Sequence, residues 1–434
     1  MQAKTENRNQ FVDIMRGIAM LLVVLGHTMT GCTVDSQKSF LFNIIWSLQM
    51  PLFILISGFV TKYSRPISDG KGLWKYVKRR TVAYMLPWAV WSFLVRGIIL
   101  GEDGFLNVKH LLWNMDSGYW FLATIWTISM IFGIASFIAE RVSKENLLKK
   151  QTVLLGCYLV GMVLLVGIGA ILGLSFFAIK LTLYYMPFYY AGFLYGQFDD
   201  RMKESEIGKK IIDSVVAICF VVWLFVILRF PLYEMSDGGF AIILRAATSL
   251  AGCIAVCGLC RGIFSSKIGG GTLAWVGEHS LEVYLTHYLL LSLIKSDKVP
   301  ILYSPVGLSL VLVNYVITVV LTVMAIVMIH GDSAADVFVM PTREENYPTV
   351  NMEAIACGTP VVTFDTGGSP EMLDDKTGIV VEANDIEATK KAIKDICEKK
   401  KCNDEEYIAA YSKKFDMKKR FAEYIELYAN VLEE

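Results

Sequence analysis

Arg16 and His27 are ionisable residues inside the first long apolar stretch of the chain. A charge there is costly enough to mark a functional candidate by default. They are eleven residues apart, about three turns or 16 Å of helix, so they share nearly one face. A guanidinium at one mouth of such a helix suits a phosphate-bearing donor. An imidazole deeper in suits removal of a proton from a hydroxyl. The same spacing is open to a second reading, in which Arg16 snorkels to headgroups and His27 hydrogen-bonds a neighbouring helix.

A later apolar stretch carries Glu282 together with Ser280, Tyr284 and His287. The last three follow i, i+4, i+7 spacing and share a face. Tyr284 and His287 either line a polar cavity or tie helices together. Arg79 and Arg80 come just before another stretch, which contains Pro87 and Trp88. Membrane topology alone would also place positive residues there. Lys180 and Arg245 lie near predicted helix ends and read as snorkelling. Cys257 and Cys260 are spaced as CxxC, but within an apolar stretch and without a second pair or a nearby His, so no metal is expected. The nine cysteines are scattered and read as core residues rather than disulfides.

Near the C-terminal end, Glu345 and Glu353 straddle a loop and a helix start, and Gly367 and Gly368 sit in a tight turn after a strand. Such a turn can offer backbone N–H groups to a phosphate. A carboxylate at the helix start can accept hydrogen bonds from ribose hydroxyls. Two glutamates at that separation also occur often by chance.

Composition dictates what positions these groups. The 434 residues are 54% hydrophobic and 19% charged, with a formal net charge of zero. Soluble domains are less apolar and more charged, and nucleic-acid binders carry a basic excess. A single soluble domain, a disordered chain and a secreted disulfide scaffold are thereby excluded, and the zero net charge argues against a nucleic-acid partner. Spans of about 20 apolar residues fall near 11–30, 41–61, 82–101, 119–139, 151–173, 176–197, 211–230, 240–262, 273–294 and 303–329. The first is followed by many more without a small-residue cleavage site, so no cleavable signal peptide is expected. Alternate loops hold seven, four, four and two Lys or Arg, from Lys62 to Lys267; the opposite loops hold Lys38, Lys109, Lys295 and Lys298. The bias puts both termini in the cytoplasm. From about residue 331 the pattern changes to alternating short strands and helices: strands over 336–340, 360–364 and 378–382, helices over 350–357, from Asp385 to about 399, and within 404–432. The expected fold is therefore a membrane all-α domain of ten transmembrane helices over 1–330, followed by a partial parallel α/β unit over 331–434.

Several stretches together resemble the membrane acyltransferase-three family. They are FVDIMRGIAMLLVVLGH over 11–27 with its Arg-x10-His pair, MPLFILISGF over 50–59, Lys78-Arg79-Arg80 before Pro87, YWFL over 119–122, MPFYYAG over 186–192 and SLEVYLTH over 280–287. The resemblance implies transfer of an acyl group, usually acetyl, from cytoplasmic acyl-CoA to sugar hydroxyls of an envelope or extracellular polysaccharide, or of a lipid-linked saccharide, in a bacterial cell membrane. It would make His27 the catalytic imidazole, with Arg16, Arg79 and Arg80 at the acyl donor, and Tyr284, His287 and Glu282 in support. No metal is implied.

The tail stretches ADVFVMPT over 335–342, Glu345-x7-Glu353, ACGTPVV over 356–362 and TGGSPE over 366–371 resemble the Rossmann-like donor half of group-one retaining (GT-B) glycosyltransferases. Carried over by position, Glu345 would face a donor sugar and Glu353 a nucleotide ribose, beside the turn at Gly367 and Gly368. The resemblance begins only near Asp332 and lacks the acceptor half and the first donor strands, with no Arg/Lys pair in place of those that hold the diphosphate. A bifunctional enzyme whose tail binds a nucleotide sugar is one alternative reading, and a glycan transporter another. Against the latter stands the lack of paired acidic residues in mid-span and of an inverted repeat.

Overall fold

The computed structural model describes residues 9–115, 118–143, 146–203, 205–235, 238–264, 270–293, 299, 301–331, 336–343, 346–398, 402, 404–416, 421 and 426. The chain forms two units, one of Asn9–Val323 and one containing Met324–Glu434.

The first unit is helical: α1 Gln10–Cys32, α2 Phe40–Phe59, α3 Gly70–Ala89, α4 Val108–Trp113, α5 Trp120–Val142, α6 Leu147–Leu172, α7 Ile179–Lys203, α8 Glu206–Arg229, α9 Gly239–Phe264, α10 Gly270–Glu278, α11 Ser280–Leu293 and the part of α12 Pro305–Gly331 up to Val323. Eight stretches among the described residues are long and apolar enough to cross a membrane. They coincide with eight of the ten spans expected from sequence. The stretch at 176–197 lies in α7, a continuous helix diluted by Lys180, Pro187 and a run of tyrosines. The stretch at 273–294 is interrupted at His279 into α10 and α11, of nine and fourteen residues.

Polar side chains at the entries start these helices. Asn9 accepts from Phe11 N–H at 3.1 Å, Ser39 from Phe42 N–H at 3.1 Å and Asp69 from Gly72 N–H at 2.6 Å; each satisfies a donor the helix leaves orphaned. Past Pro87 the third helix loosens into a π-helical segment, Val90–Ile99, closed by Leu100 N–H on Val95 O at 2.9 Å. Proline removes a donor from the ladder, and the wider turn rotates the residues after it. Ser92, Arg96 and Gly97 face inward as a result.

Two glycine contacts bring backbones together. A Cβ at Gly58 in α2 would overlap Tyr189 O in α7, and one at Gly192 in α7 would overlap Leu55 O in α2. Likewise Gly17 in α1 packs on the backbone of Leu273, and Gly277 in α10 on that of Asp13. Small residues permit such close helix packing where the hydrophobic effect cannot drive it. The conspicuous stretches at 50–59 and 186–192 thus meet each other.

The second unit holds a parallel three-stranded sheet in the order β1 Phe338–Met340, β2 Val361–Phe364, β3 Gly378–Val381, with Phe338 opposite Val361 and Val361 opposite Gly378. Helix α13, Thr349–Ala356, makes the crossover between β1 and β2, and α14, Ile386–Cys397, follows β3 with Asp385 as its cap. Helix α15 runs Glu405–Tyr411. Every residue of β2 is buried. Val362, Phe364, Val381, Ala392 and Ile396 pack on one face of the sheet, and Ile355, Val361 and Ile408 on the other. These elements follow the strands and helices read from the sequence to within two residues at most ends.

Candidate active site

A cavity of about 690 Å³ opens within the first unit, at the C-terminal end of α1. The side chain of His27 is exposed into it, while its neighbours Gly26 and Thr28 are buried. Thr28 turns its hydroxyl back onto Val24 O at 2.8 Å, and Thr30 onto His27 O at 3.0 Å. The helix therefore satisfies its own polar groups and presents the imidazole alone.

Helix α11 brings His287 to the same cavity. The two imidazole centroids are 5.4 Å apart. His287 is only 2% exposed, and its Nδ1 lies 2.9 Å from Val283 O, one turn back. Tyr284 is buried beside it at 6.0 Å between ring centroids, and Tyr119 contacts Tyr284 at 5.9 Å while donating its hydroxyl to Leu285 O at 3.2 Å. Tyr284 and His287 both line the cavity. Glu282 is half-buried and outside the lining.

The remaining walls come from residues the sequence reading did not single out as site residues. Arg96, on the π-helical segment, is 9% exposed and lines the cavity. Its Nε and Nη2 both donate to Glu102 Oε2, at 3.1 and 2.6 Å. Its guanidinium lies 3.9 Å above the ring of Phe105 and 5.3 Å from that of Tyr288. Tyr288 in turn meets His27 edge-on at 6.0 Å, so one tyrosine ring stands between the guanidinium and the imidazole. The signal for Arg96 was present, a lone Arg in an apolar run with a Glu six residues on. Aromatic rings complete the wall: Trp46, Trp120 and Tyr233. Tyr233 packs edge-on against Phe42 and Trp46, at 5.2 and 6.0 Å.

Arg245 corrects the snorkelling expectation. It is 8% exposed, donates Nε to Leu232 O at 2.8 Å and Nη2 to Met235 O. Asn43 donates to Phe230 O at 2.8 Å. Together they hold the carbonyls of the α8–α9 connection that carries Tyr233.

The proposed donor residues lie away from this cavity. Arg16 is half-buried and within 3.8 Å of Asp13. Arg79 is exposed, whereas Arg80 donates to Tyr84 Oη at 2.9 Å and lies 5.4 Å from the ring of Tyr76. None of the three lines the cavity. Cys257 and Cys260 are buried in α9, and among the described residues no His, Cys, Asp or Glu cluster could hold a metal ion.

In the second unit, Glu345 lies outside the described residues. Glu353 is exposed on α13. Gly367 takes a positive φ of 53°, which glycine tolerates best. The N–H of Gly368 already donates to Asn346 O at 2.7 Å, so the turn offers a phosphate less than its sequence promised.

The family model described as an acyltransferase domain, acyltransferase three, matches residues 9–330. The chain belongs to the acyltransferase-three family. Eight of its helices, among the described residues, are long and apolar enough to cross a membrane, and a second model, for group-one glycosyl transferases, matches residues 322–432. Nodulation protein NolL of Sinorhizobium fredii is 24% identical over 246 residues, 51% of this chain and 59% of that protein. A GDP-mannose-dependent alpha-(1-6)-phosphatidylinositol monomannoside mannosyltransferase of Mycolicibacterium smegmatis is 46% identical over 70 residues, 14% of this chain and 18% of that protein. Alpha-maltose-1-phosphate synthase of the same species is 52% identical over 59 residues, 13% and 15% of the two chains. The chain therefore spans about three-fifths of the first of these relatives and under a fifth of the other two. No solved structure matches.

Proposed function

We propose that the enzyme moves an acyl group, acetyl in the simplest case, from cytoplasmic acyl-CoA to a sugar hydroxyl of a cell-envelope or extracellular polysaccharide, or of its lipid-linked precursor, in a bacterial cytoplasmic membrane. The observation that carries this reading is the single exposed imidazole of His27 in a cavity walled by Trp46, Trp120, Tyr233 and Tyr288. Aromatic faces match the C–H faces of a pyranose, and an imidazole is suited to removing its hydroxyl proton. His27 takes the proton as the sugar oxygen attacks the acyl carbonyl; the carbon–sulfur bond breaks, and the proton passes to the departing thiolate. Arg96, held by Glu102, faces the acceptor. Arg16, Arg79 and Arg80 lie toward the basic, cytoplasmic side, where the phosphates of acyl-CoA would arrive. With ten traversals, counting α7 and the interrupted α10–α11 pair, both ends of the membrane part face the cytoplasm. Residues 1–330 would form that part, and 331–434 a truncated glycosyltransferase unit that does not transfer sugar.

Proton NMR of the host glycan tests this reading, in cells with the intact gene, a deletion and His27→Ala. Loss of an O-acetyl signal in both altered strains is expected. An unchanged signal overturns the proposal.

A further inference from the structure

His27 and His287 stand at different depths. His27 is open to the cavity, while His287 lies behind it, shut off from solvent. The hydrogen bond from Nδ1 of His287 ends on a carbonyl, Val283 O, and a carbonyl only accepts. Nδ1 therefore carries the proton, and a neutral imidazole with one N–H leaves its other nitrogen as a bare acceptor. That nitrogen, Nε2, is buried and has no hydrogen-bond partner among the described residues. An unpaired buried acceptor is unfavourable, so it needs a donor. The facing ring is that of His27, 5.4 Å away between centroids and tilted by 41°. That separation admits an N–H···N bond of about 3 Å once the rings are aimed at each other, and catalytic hydrogen bonds often tighten only when substrate is bound. His279, at the break between α10 and α11, is placed differently. Its Nδ1 also meets a carbonyl, Trp275 O at 2.9 Å, but its ring stacks on Trp275 at 4.4 Å and lies outside the cavity lining.

We infer that His287 is the positioning residue for His27. Its bare Nε2 accepts the N–H of one His27 nitrogen, which leaves the other His27 nitrogen unprotonated and turned to the cavity. This rests on the acyl-transfer reading of His27. In the transfer, the sugar O–H bond breaks as the hydroxyl proton joins the bare nitrogen of His27. The oxygen–acyl bond forms, the acyl–sulfur bond breaks, and the same proton leaves on the thiol. His287 stays neutral throughout and stabilises the imidazolium through its acceptor nitrogen.

The test uses membranes containing the full chain, given radiolabelled acetyl-CoA, with label read in the saccharide and His27→Ala as the baseline. His287→Leu, at matched protein level, is expected to lower kcat by about 10²-fold, the low end of what a well-held general base contributes, with KM for acetyl-CoA within about twofold. His287→Gln offers an amide oxygen as acceptor near the position of Nε2 and is expected to restore at least about tenfold of that loss. Unchanged kcat in His287→Leu, equal loss in the Leu and Gln variants, or a loss confined to KM would overturn the inference. Labelling that depends on His27 but not on His287 overturns it alone. Labelling that never depended on His27 overturns the acyl-transfer reading with it.

Discussion

Arg96 donates through Nε and Nη2 to one oxygen of Glu102, and its remaining edge, Nη1, lies where any side chain at position 118 would collide with it. Gly118 also takes a φ of 93°, a left-handed conformation that disfavours other residues. The chain keeps clear the one part of the guanidinium that Glu102 does not occupy. Arg96→Gln should raise KM for the saccharide acceptor by about tenfold or more, as expected when a charged hydrogen bond worth about 1.5–3 kcal/mol is removed. Acyl-CoA turnover against acceptor concentration checks it. Gly118→Ala should reproduce part of the defect by pushing Nη1 aside.

Gly58→Ala and Gly192→Ala should each destabilise the bundle by about 1–3 kcal/mol, since a methyl must be forced into the opposing backbone. The pair combined should cost less than the sum, because once α2 and α7 are spread apart the second methyl finds room. Thermal unfolding of the detergent-solubilised chain gives the three values.

Arg245→Met keeps the length and bulk of the side chain but strips the donors from Leu232 O and Met235 O. A loss of about 1–3 kcal/mol for each carbonyl left unsatisfied is expected. Activity should fall with it, because Tyr233 sits on the connection those carbonyls anchor. Trp46→Phe, which leaves the carbonyls bonded, should affect acceptor KM without the stability loss.

In the tail, burial pushes the Asp374 carboxyl up, but hydrogen bonds from Tyr407, Thr377 and the N–H of Lys376 outweigh it and hold the group below the usual carboxylate value. The bond to Asp374 raises the Tyr407 phenol. A lowered carboxylate stabilises the fold fully above its unfolded value, near pH 3.8, and that contribution disappears as pH falls through the lowered one. The raised phenol contributes below pH 10 and is lost as pH climbs through its higher value. Hydrogen exchange at the amides of Lys376 and Thr377 in the full chain, corrected for intrinsic rate, should accelerate below about pH 4 in the natural protein. In Asp374→Asn that step should vanish.

Much of this architecture was legible in the sequence. Apolar runs located the helices because a bilayer imposes a length, and Asp385 announced α14 because its cap chemistry is local. Arg16 and His27 stood out because both are ionisable residues in one apolar helix. The cavity was harder to read, since its walls come from α1, α2, the π-helical segment after α3, the start of α5, the α8–α9 connection and α11. Arg96 depends on a loosened turn after Pro87 that helical periodicity does not anticipate. Arg245 looked like a snorkelling residue because sequence gives depth along a helix and not the carbonyls of a distant loop. Gly368 misled for a related reason: a glycine turn shows that an N–H exists, while Asn346 decides whether it is free.

The glycine contact between α1 and α10 has a consequence of counting. Gly17 and His27 are ten residues apart, and so are Gly277 and His287. The two helical tracks run side by side from one touching pair to the other, and equal spacing brings the imidazoles level. One residue inserted into either track turns everything beyond it by about 100° and lifts it by about 1.5 Å. Between these two pairs, the gene can accept substitutions but tolerates no change in reading length.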